Sequence, residues 1–304
     1  MLGLIFTETG FQIGSGHKSR MLELKKRLSL IGFEIKMFIF EKSSDENCPQ
    51  HYQGTLKESW LSEGILEDIL KSYEAIHLIV IDSYLALDYH YKIALKYAKK
   101  LAIIDDFNRL DYPKEALILN PAINSHKIYS GRSNVYAGLG FNFCKKQKSI
   151  KEVSKNIVVC TGGGDEFNVT QEIANFLEIL KLDFSVTIIL GKYYNHDLKT
   201  KFKVLRNIPK EQLLELFLHS SLGILGGGVI LNEALSCALP ALVFEMAPNQ
   251  AFQINEFHKL GAIIKMQKIS DLELLYNCDI TRMKKIASDL DFGSNLDGFL
   301  RDLI

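Results

Sequence analysis

Short apolar runs alternate along the chain with longer stretches in which apolar residues recur every three or four positions. The short runs are LGLIF, FEIKMFIF, AIHLIVID, LAIIDD and ALILN in the first half, then NIVVCTGGG, FSVTIILG, SLGILGGG, LPALVF and GAIIKM in the second. Such runs, rich in Ile, Val and Leu, are typical of parallel strands covered on both faces. The longer stretches, such as SRMLELKKRLSLIG, HYKIALKYAKK, VTQEIANFLEILKL and KEQLLELFLHS, have the spacing of amphipathic helices. The pattern predicts an α/β fold with doubly wound sheets.

A polar, lysine-rich stretch near the middle divides this pattern in two. It covers residues 143–156, FCKKQKSIKEVSKN, and a new strand ending in a glycine turn follows it. Each half then begins with a strand, a glycine turn and a helix. A chain of 304 residues is long enough for two domains. We predict two Rossmann-like domains facing a cleft, covering residues 1–148 and 149–304, with the segment from about Leu272 crossing back or packing as helices.

Composition narrows the range of partners. Lys and Arg together number 36, as do Asp and Glu, so no overall charge favours nucleic acid or an anionic membrane. The five cysteines are scattered without a CxxC pair, which argues against a disulfide framework or a zinc site. No apolar run approaches the roughly 20 residues of a membrane span, and the first residues, MLGLIFTETG, lack the basic region of a signal peptide. We expect a cytoplasmic monomer without a cofactor or a bound metal.

The first glycine turn, GSGHKSR, carries the most chemically informative residues of the first domain. Gly14 and Gly16 permit a tight turn and a close approach of a ligand to the main chain. His17 falls at the start of the following helix, where free N–H groups favour an anion and where an imidazole can act as a general base. Alternatively, His17 caps the helix and Arg20 is a solvated surface residue.

The order of several motifs resembles a known enzyme family. GSGHKSR is similar to the N-terminal GxGHxxR motif of the nucleotide-sugar hydrolases of pseudaminic acid biosynthesis, which remove UDP from UDP-2,4-diacetamido-2,4,6-trideoxy-β-L-altropyranose. VIDSYLALD, IIDDF, VVCTGGGDEFNVT, GILGGGVILNEALSCALPALVF and PNQAFQINEFHKLGA follow in the order of that family's other motifs. The family resembles the MurG-type GT-B glycosyltransferases in fold. The resemblance therefore implies a GT-B-like fold and hydrolysis of a UDP-sugar, with His17 as the base that activates water.

The resemblance also implies a set of substrate-binding residues. In the first domain, Asp82 and Tyr84 are expected to orient the sugar, and Arg20 to hold His17 or the sugar. In the second domain the glycine loop and the helix after it are expected to hold the UDP phosphates, and Glu233 the ribose hydroxyls. The candidate ligand residues there are Gly163, Gly227, Gly228, Val229, Asn232, Glu233, Asn249 and Gln250.

Alternatives remain both for single residues and for the function of the whole protein. Glu233 is otherwise a glutamate stabilised by the helix dipole, and Asp165 is a helix cap or a ligand contact. For the whole protein, the alternatives are a GT-B glycosyltransferase that uses a UDP-sugar donor, in which His17 deprotonates an acceptor hydroxyl, and a nucleotide-sugar-binding protein without catalysis.

Overall fold

The computed structural model describes residues 1–42, 59–148, 154–180 and 182–304. The chain forms two units, residues 1–143 with 293–304, and residues 144–292. The division follows Phe143, five residues before the predicted boundary, and part of the predicted linker, residues 149–153, lies outside the described residues. The predicted division places 293–304 in the second domain, whereas the structure places these residues in the first unit.

The first unit contains a six-stranded parallel sheet with strand order β2-β1-β3-β4-β5-β6. Its strands are β1 (Leu2–Gly10), β2 (Glu34–Lys42), β3 (Ile76–Asp82), β4 (Ala98–Ile104), β5 (Leu117–Asn120) and β6 (Val135–Ala137). Three helices lie among them, α1 (Gly16–Leu30), α2 (Ile65–Lys71) and α3 (Asp88–Tyr97). Alternate residues of β1 enter different cores, because successive side chains of a strand point to opposite faces. Leu4 and Phe6 pack in one, with Trp60, and Ile5 in the other.

The C-terminal helix explains why the chain returns to the first unit. This helix, which we number α9 (Leu296–Asp302), buries Leu296, Phe299 and Leu300 in the core that contains Ile5 and the apolar face of α1. The ring of Phe299 lies 5.0 Å from that of Tyr136 on β6. A helix with one apolar face is stabilised when it packs that face against an uncovered face of a sheet. Here the uncovered sheet face belongs to the first sheet.

The second unit repeats the architecture, with strand order β12-β11-β10-β7-β8-β9 and every pair parallel. Its strands are β7 (Asn156–Cys160), β8 (Ser185–Leu190), β9 (Lys203–Arg206), β10 (Leu222–Gly226), β11 (Ala241–Phe244) and β12 (Ile263–Met266). Its helices are α4 (Val169–Ile179), α5 (Lys210–His219), α6 (Val229–Ser236), α7 (Ala251–Leu260) and α8 (Ile280–Asp289). Two Rossmann-like units, as predicted, are therefore present.

The cysteines and the lengths of the helices can be compared with the expectations from composition. Cys144, Cys160 and Cys237 are buried free thiols, Cys278 is a half-buried one, and Cys48 lies outside the described residues. Among the helices that the structure describes, none combines the length and the apolar character needed to span a bilayer.

Candidate functional site

The first glycine turn joins β1 to α1 through a short closed loop. The main chains of Gly10 and Gly14 exchange two hydrogen bonds, with N···O distances of 3.0 and 2.8 Å. Gly14 has a φ of +79°, a backbone conformation that residues with a Cβ atom rarely adopt. Because the loop ends there, α1 starts at Gly16 and His17 is its second residue.

The position of this turn in the sheet brings three polar residues together. In the strand order, β1 lies between β2 and β3. The chain adds β2 on one side of β1 and then β3 and the later strands on the other side, so the order of the strands reverses between β1 and β3. Ligands of open α/β sheets bind at such a switch point, outside the carboxyl ends of the strands. His17 and Arg20 follow β1, and Asp82 is the last residue of β3.

Asp82 binds both His17 and Arg20. Its Oδ1 lies 2.6 Å from His17 Nδ1 and accepts a hydrogen bond from Arg20 Nη2 at 2.6 Å, and its Oδ2 accepts one from Arg20 Nε at 2.7 Å. All three side chains are buried, with exposed fractions of 6% for His17, 8% for Arg20 and 0% for Asp82. The alternative of a solvated Arg20 therefore does not describe this structure.

Asp82 and Arg20 keep each other charged. Burial by itself would raise the pKa of Asp82, but the charges of Arg20 and His17 and their hydrogen bonds hold that pKa well below its usual range. Burial likewise opposes the charge of Arg20, while Asp106 and Asp82 raise its pKa well above the ordinary value. Asp82 is therefore a carboxylate that only accepts, and we assign the shared proton of the 2.6 Å contact to His17 Nδ1. In the neutral ring, Nε2 then carries the lone pair that a general base needs.

Tyr84 and Asp106 limit the movement of this cluster. Asp106 accepts two hydrogen bonds from Arg20 Nη1, at 2.8 and 2.9 Å, and one from the hydroxyl of Tyr84. The ring of Tyr84 meets that of His17 edge to face, with centroids 4.3 Å apart. The imidazole is thus fixed by Asp82 at one nitrogen and by an aromatic ring beside it.

A second carboxyl group lies near the other nitrogen of His17. Glu8, inside β1, has Oε1 3.9 Å from His17 Nε2, and its own exposed fraction is 1%. Its carboxyl accepts hydrogen bonds from the main chain of Tyr84, at 2.8 Å, and from the hydroxyl of Ser83. His17 is therefore flanked by two buried carboxyl groups.

Several other histidines have a different environment. His77, His90, His196 and His219 each place a ring nitrogen within hydrogen-bond distance of a main-chain carbonyl. A carbonyl orients such a ring but carries no charge, whereas Asp82 can stabilise the imidazolium that forms when His17 accepts a proton.

The glycine loop of the second unit occupies the equivalent switch point of the second sheet. Neighbouring strands β7 and β10 pair Cys160 with Leu225, so their loops begin side by side. Gly163 lies in the loop after β7, and Gly227 and Gly228 lie between β10 and α6. A Cβ on Gly227 would overlap the side chain of Ile254, which is fully buried and would have to move, so glycine is favoured there. Val229 begins α6, whose first N–H groups have no partner within the helix and can bind an anion.

Side-chain amides hold this glycine loop in place. Gln250 Oε1 accepts from the main-chain N–H of Gly227 at 3.1 Å and of Met246 at 2.9 Å. Gln253 Nε2 donates to the carbonyl of Gly227, and Asn232 Nδ2 donates to Gln253 Oε1 at 3.3 Å. Asn232 Oδ1 is buried without a hydrogen-bond partner among the described residues, and a ligand donor would satisfy it. Gln250 therefore supports the loop through its Oε1, and its role as a ligand residue stays a prediction.

Glu233 lies on the second turn of α6 and is buried, with an exposed fraction of 6%. Burial raises the pKa of its carboxyl, and the ammonium group of Lys210, 3.4 Å away, partly offsets that rise. A buried carboxyl group beside a lysine retains lone pairs that can accept from hydroxyl donors.

Replacing Glu233 by Gln is expected to change how stability depends on pH. An acid whose pKa is higher in the folded than in the unfolded chain keeps its proton on folding. The free energy of unfolding of the wild type therefore falls, relative to Glu233→Gln, as pH rises above the unfolded value of about 4.3 and through the folded value. Thermal unfolding of both proteins between about pH 4 and pH 8 measures this. A wild-type advantage that grows with pH would contradict the burial argument.

The remaining predicted residues of the second unit lie at the edges of this loop. Asn249 is exposed in a short 3-10 turn before α7. Asp165 accepts hydrogen bonds from the main-chain N–H groups of Val169, at 2.9 Å, and Thr170, at 2.7 Å, so it caps the start of α4. Of the two readings for Asp165, the structure has the cap.

Neither Glu8 nor Asp106 is among the site residues predicted from the sequence. Asp105 does accept from main-chain N–H groups of that loop, at 3.5 and 3.3 Å, whereas Asp106 binds Arg20. The sequence does contain one signal for Glu8, which is a charged residue near the end of an apolar strand. Because that strand lies between two others in the sheet, the charge is buried. In the described part of the chain, no group of three or more His, Cys, Asp or Glu residues could hold a metal ion.

Comparisons with known proteins agree with the resemblance predicted from the motifs. No protein-family model matches the chain. The chain is 23% identical over 96% of its length to the Helicobacter pylori protein named pseudaminic acid cytidylyltransferase and UDP-2,4-diacetamido-2,4,6-trideoxy-beta-L-altropyranose hydrolase. It is 22% identical over 90% of its length to the spore coat polysaccharide biosynthesis protein SpsG of Bacillus subtilis. The chain spans 53% of the former, about half its length, and 86% of the latter.

Solved structures give the fold. MurG of Acinetobacter baumannii matches with a TM-score of 0.62 and 12% identity, over 100% of this chain and 99% of that one. With two six-stranded parallel sheets, the chain has the GT-B-like fold that the motifs predicted.

Proposed function

We propose that this protein hydrolyses a UDP-activated 2,4-diacetamido-2,4,6-trideoxy sugar, releasing UDP, in pseudaminic acid biosynthesis. The observation that carries the proposal is the buried pair of His17 and Asp82 at the switch point of the first sheet, 2.6 Å apart. A base held in one tautomer by a carboxylate is suited to removing a proton from an attacking hydroxyl or water. The name of the Helicobacter pylori relative includes hydrolysis of UDP-2,4-diacetamido-2,4,6-trideoxy-beta-L-altropyranose, and this supports the choice of substrate.

The reaction is attack of water at the anomeric carbon with inversion. As the water oxygen bonds to that carbon, His17 Nε2 takes one of its protons, and the bond between the carbon and UDP breaks with its electron pair on UDP. Asp82 stabilises the imidazolium that results, because it is held ionised by Arg20.

The second unit is proposed to bind the leaving group. The first N–H groups of α6 and the main-chain N–H of Gly228 stabilise the diphosphate charge that grows as UDP departs, whereas the N–H of Gly227 already donates to Gln250 Oε1. Glu233 accepts hydrogen bonds from the ribose hydroxyls, and Asn232 Oδ1, which is buried and unpaired among the described residues, accepts from a donor of the nucleotide. These roles need only groups that the chain itself supplies.

Other residues are proposed to hold the base rather than the sugar. Arg20 and Asp82 are occupied by each other, by His17 and by Asp106. We therefore assign Arg20 and Asp82 as positioning residues, and we propose that Tyr84, whose ring packs against that of His17, also contacts the sugar.

The test is UDP release from UDP-2,4-diacetamido-2,4,6-trideoxy-β-L-altropyranose by the purified protein, with a chelator and without any acceptor. We expect stoichiometric appearance of UDP and the free sugar. The likeness to MurG in fold favours a glycosyltransferase as the second candidate. In that case the UDP-sugar binds, and UDP is released from it only when an acceptor alcohol is supplied. Binding of the UDP-sugar without release of UDP under either condition would indicate a protein without catalysis.

A further inference from the structure

Glu8 lies near one ring nitrogen of His17 and Asp82 near the other. Burial of the Glu8 carboxyl group is unfavourable for folding, which suggests that the group has a function. Its exposed fraction is 1%, in a strand with neighbours on both sides. Removing a carboxylate from water is unfavourable unless hydrogen bonds or charges compensate for the lost hydration. The sequence could place an apolar residue here, as it does at Leu4 and Phe6 of the same strand.

Hydrogen bonds fix the carboxyl group of Glu8 but leave it able to accept more. Oε1 accepts from the main-chain N–H of Tyr84 at 2.8 Å. Oε2 accepts from the hydroxyl of Ser83 and, at 3.4 Å, from the main-chain N–H of Leu85. Each carboxylate oxygen has two lone pairs, so Oε1 keeps one beyond its bond to Tyr84.

The distance between Glu8 Oε1 and His17 Nε2 is 3.9 Å. That is too long for a direct hydrogen bond, and it allows one water oxygen to lie about 2.8 Å from both atoms. We propose that Glu8 holds the nucleophilic water against His17 and thereby selects water over an alcohol as the nucleophile. This inference rests on the proposed hydrolysis.

The proton count explains the selectivity. Water has two protons: His17 Nε2 removes one as the oxygen bonds to the anomeric carbon and UDP departs with the bonding electron pair. The second proton stays on the new sugar hydroxyl and donates to Glu8 Oε1 throughout the step. An alcohol has one hydroxyl proton, which passes to His17, so it has none to donate to Glu8. The carboxylate therefore assists attack by water and leaves an alcohol's oxygen facing a negative charge.

The experiment measures how the enzyme partitions its substrate between water and methanol. UDP-2,4-diacetamido-2,4,6-trideoxy-β-L-altropyranose is incubated with wild type or Glu8→Ala at one fixed methanol concentration, and free sugar and methyl glycoside are quantified. For Glu8→Ala we expect formation of free sugar to fall about 100-fold and the ratio of methyl glycoside to free sugar to rise at least about tenfold. UDP affinity is expected to stay the same, because no UDP-binding role is assigned to Glu8.

Two further variants separate this role from a structural one. Ser83→Ala removes a hydrogen bond to Glu8 but keeps the carboxyl group, so it is expected to leave the ratio unchanged even if both products form more slowly. Glu8→Asp, which withdraws the carboxyl group by one methylene, replaces Glu8→Ala if the latter does not fold, with the same direction of change expected. A wild type that releases no UDP would refute the hydrolysis and this role together. UDP release with an unchanged ratio in the Glu8 variants would refute the role of Glu8 alone.

Discussion

His17→Ala is expected to lower UDP release by about 10²–10⁴-fold at saturating substrate, the range for removal of a general base. The affinity for UDP is expected to remain that of the wild type, because His17 contacts Asp82 and Tyr84 of the first unit and the proposed diphosphate site belongs to the second. Single-turnover rates and UDP titrations of both proteins measure the two quantities separately.

His219→Ala is the matched control. Its ring contacts the carbonyl of Glu215, at 2.8 Å, and we assign it no role in catalysis. It is expected to turn over at the wild-type rate. If His17→Ala released UDP as fast as His219→Ala, another group would have to be the base.

Asp82→Asn is expected to lower UDP release by about 100-fold or more while leaving UDP affinity unchanged. An amide can donate to His17 Nδ1 and so favour the tautomer whose proton is on Nε2, which then cannot accept a proton from water. The amide also lacks the charge that stabilises the imidazolium. The loss of unfolding free energy is expected to be up to about 3 kcal/mol, because Arg20 keeps Asp106. Single-turnover UDP release and denaturant unfolding check the two effects.

Asp106→Asn provides the comparison. It removes a carboxylate from the same guanidinium group, without touching a nitrogen of His17. We expect a similar loss of stability with a smaller fall in the rate. Equal falls in rate for Asp82→Asn and Asp106→Asn would mean that Asp82 acts only by holding Arg20, and not through His17.

Strands with continuous apolar runs were predictable, and short half-buried ones were not. β3, β7 and β10 are buried on both faces, so their runs of Ile, Val and Leu stand out in the sequence. β6 (Val135–Ala137) and β9 (Lys203–Arg206) are short edge strands whose residues are half-buried or exposed, and VYA and KVLR have no distinctive pattern. β4 begins at Ala98, inside a stretch that the sequence assigns to a helix, because its residues pair with β3.

The candidate site was predictable where one short motif carries it. GSGHKSR identifies His17 and Arg20, and GGGVILNEA identifies the start of α6 and Glu233. Partners from distant parts of the chain were not predictable in the same way. The link from Arg20 to Asp106 spans 86 residues, and the link from Glu8 to Ser83 spans 75. No local spacing encodes which carboxyl group a folded sheet places beside a given donor.

The sequence by itself determined the two-sheet α/β fold, the glycine turns and the histidine at the start of α1, because these depend on local periodicity and on backbone torsions. Only the tertiary structure decided that the last twelve residues complete the first unit, since that depends on which sheet face is left uncovered. It also decided the environment of His17, with Asp82 at Nδ1 and Glu8 near Nε2. Those two carboxyl groups come from neighbouring strands, and strand order is a property of the folded sheet.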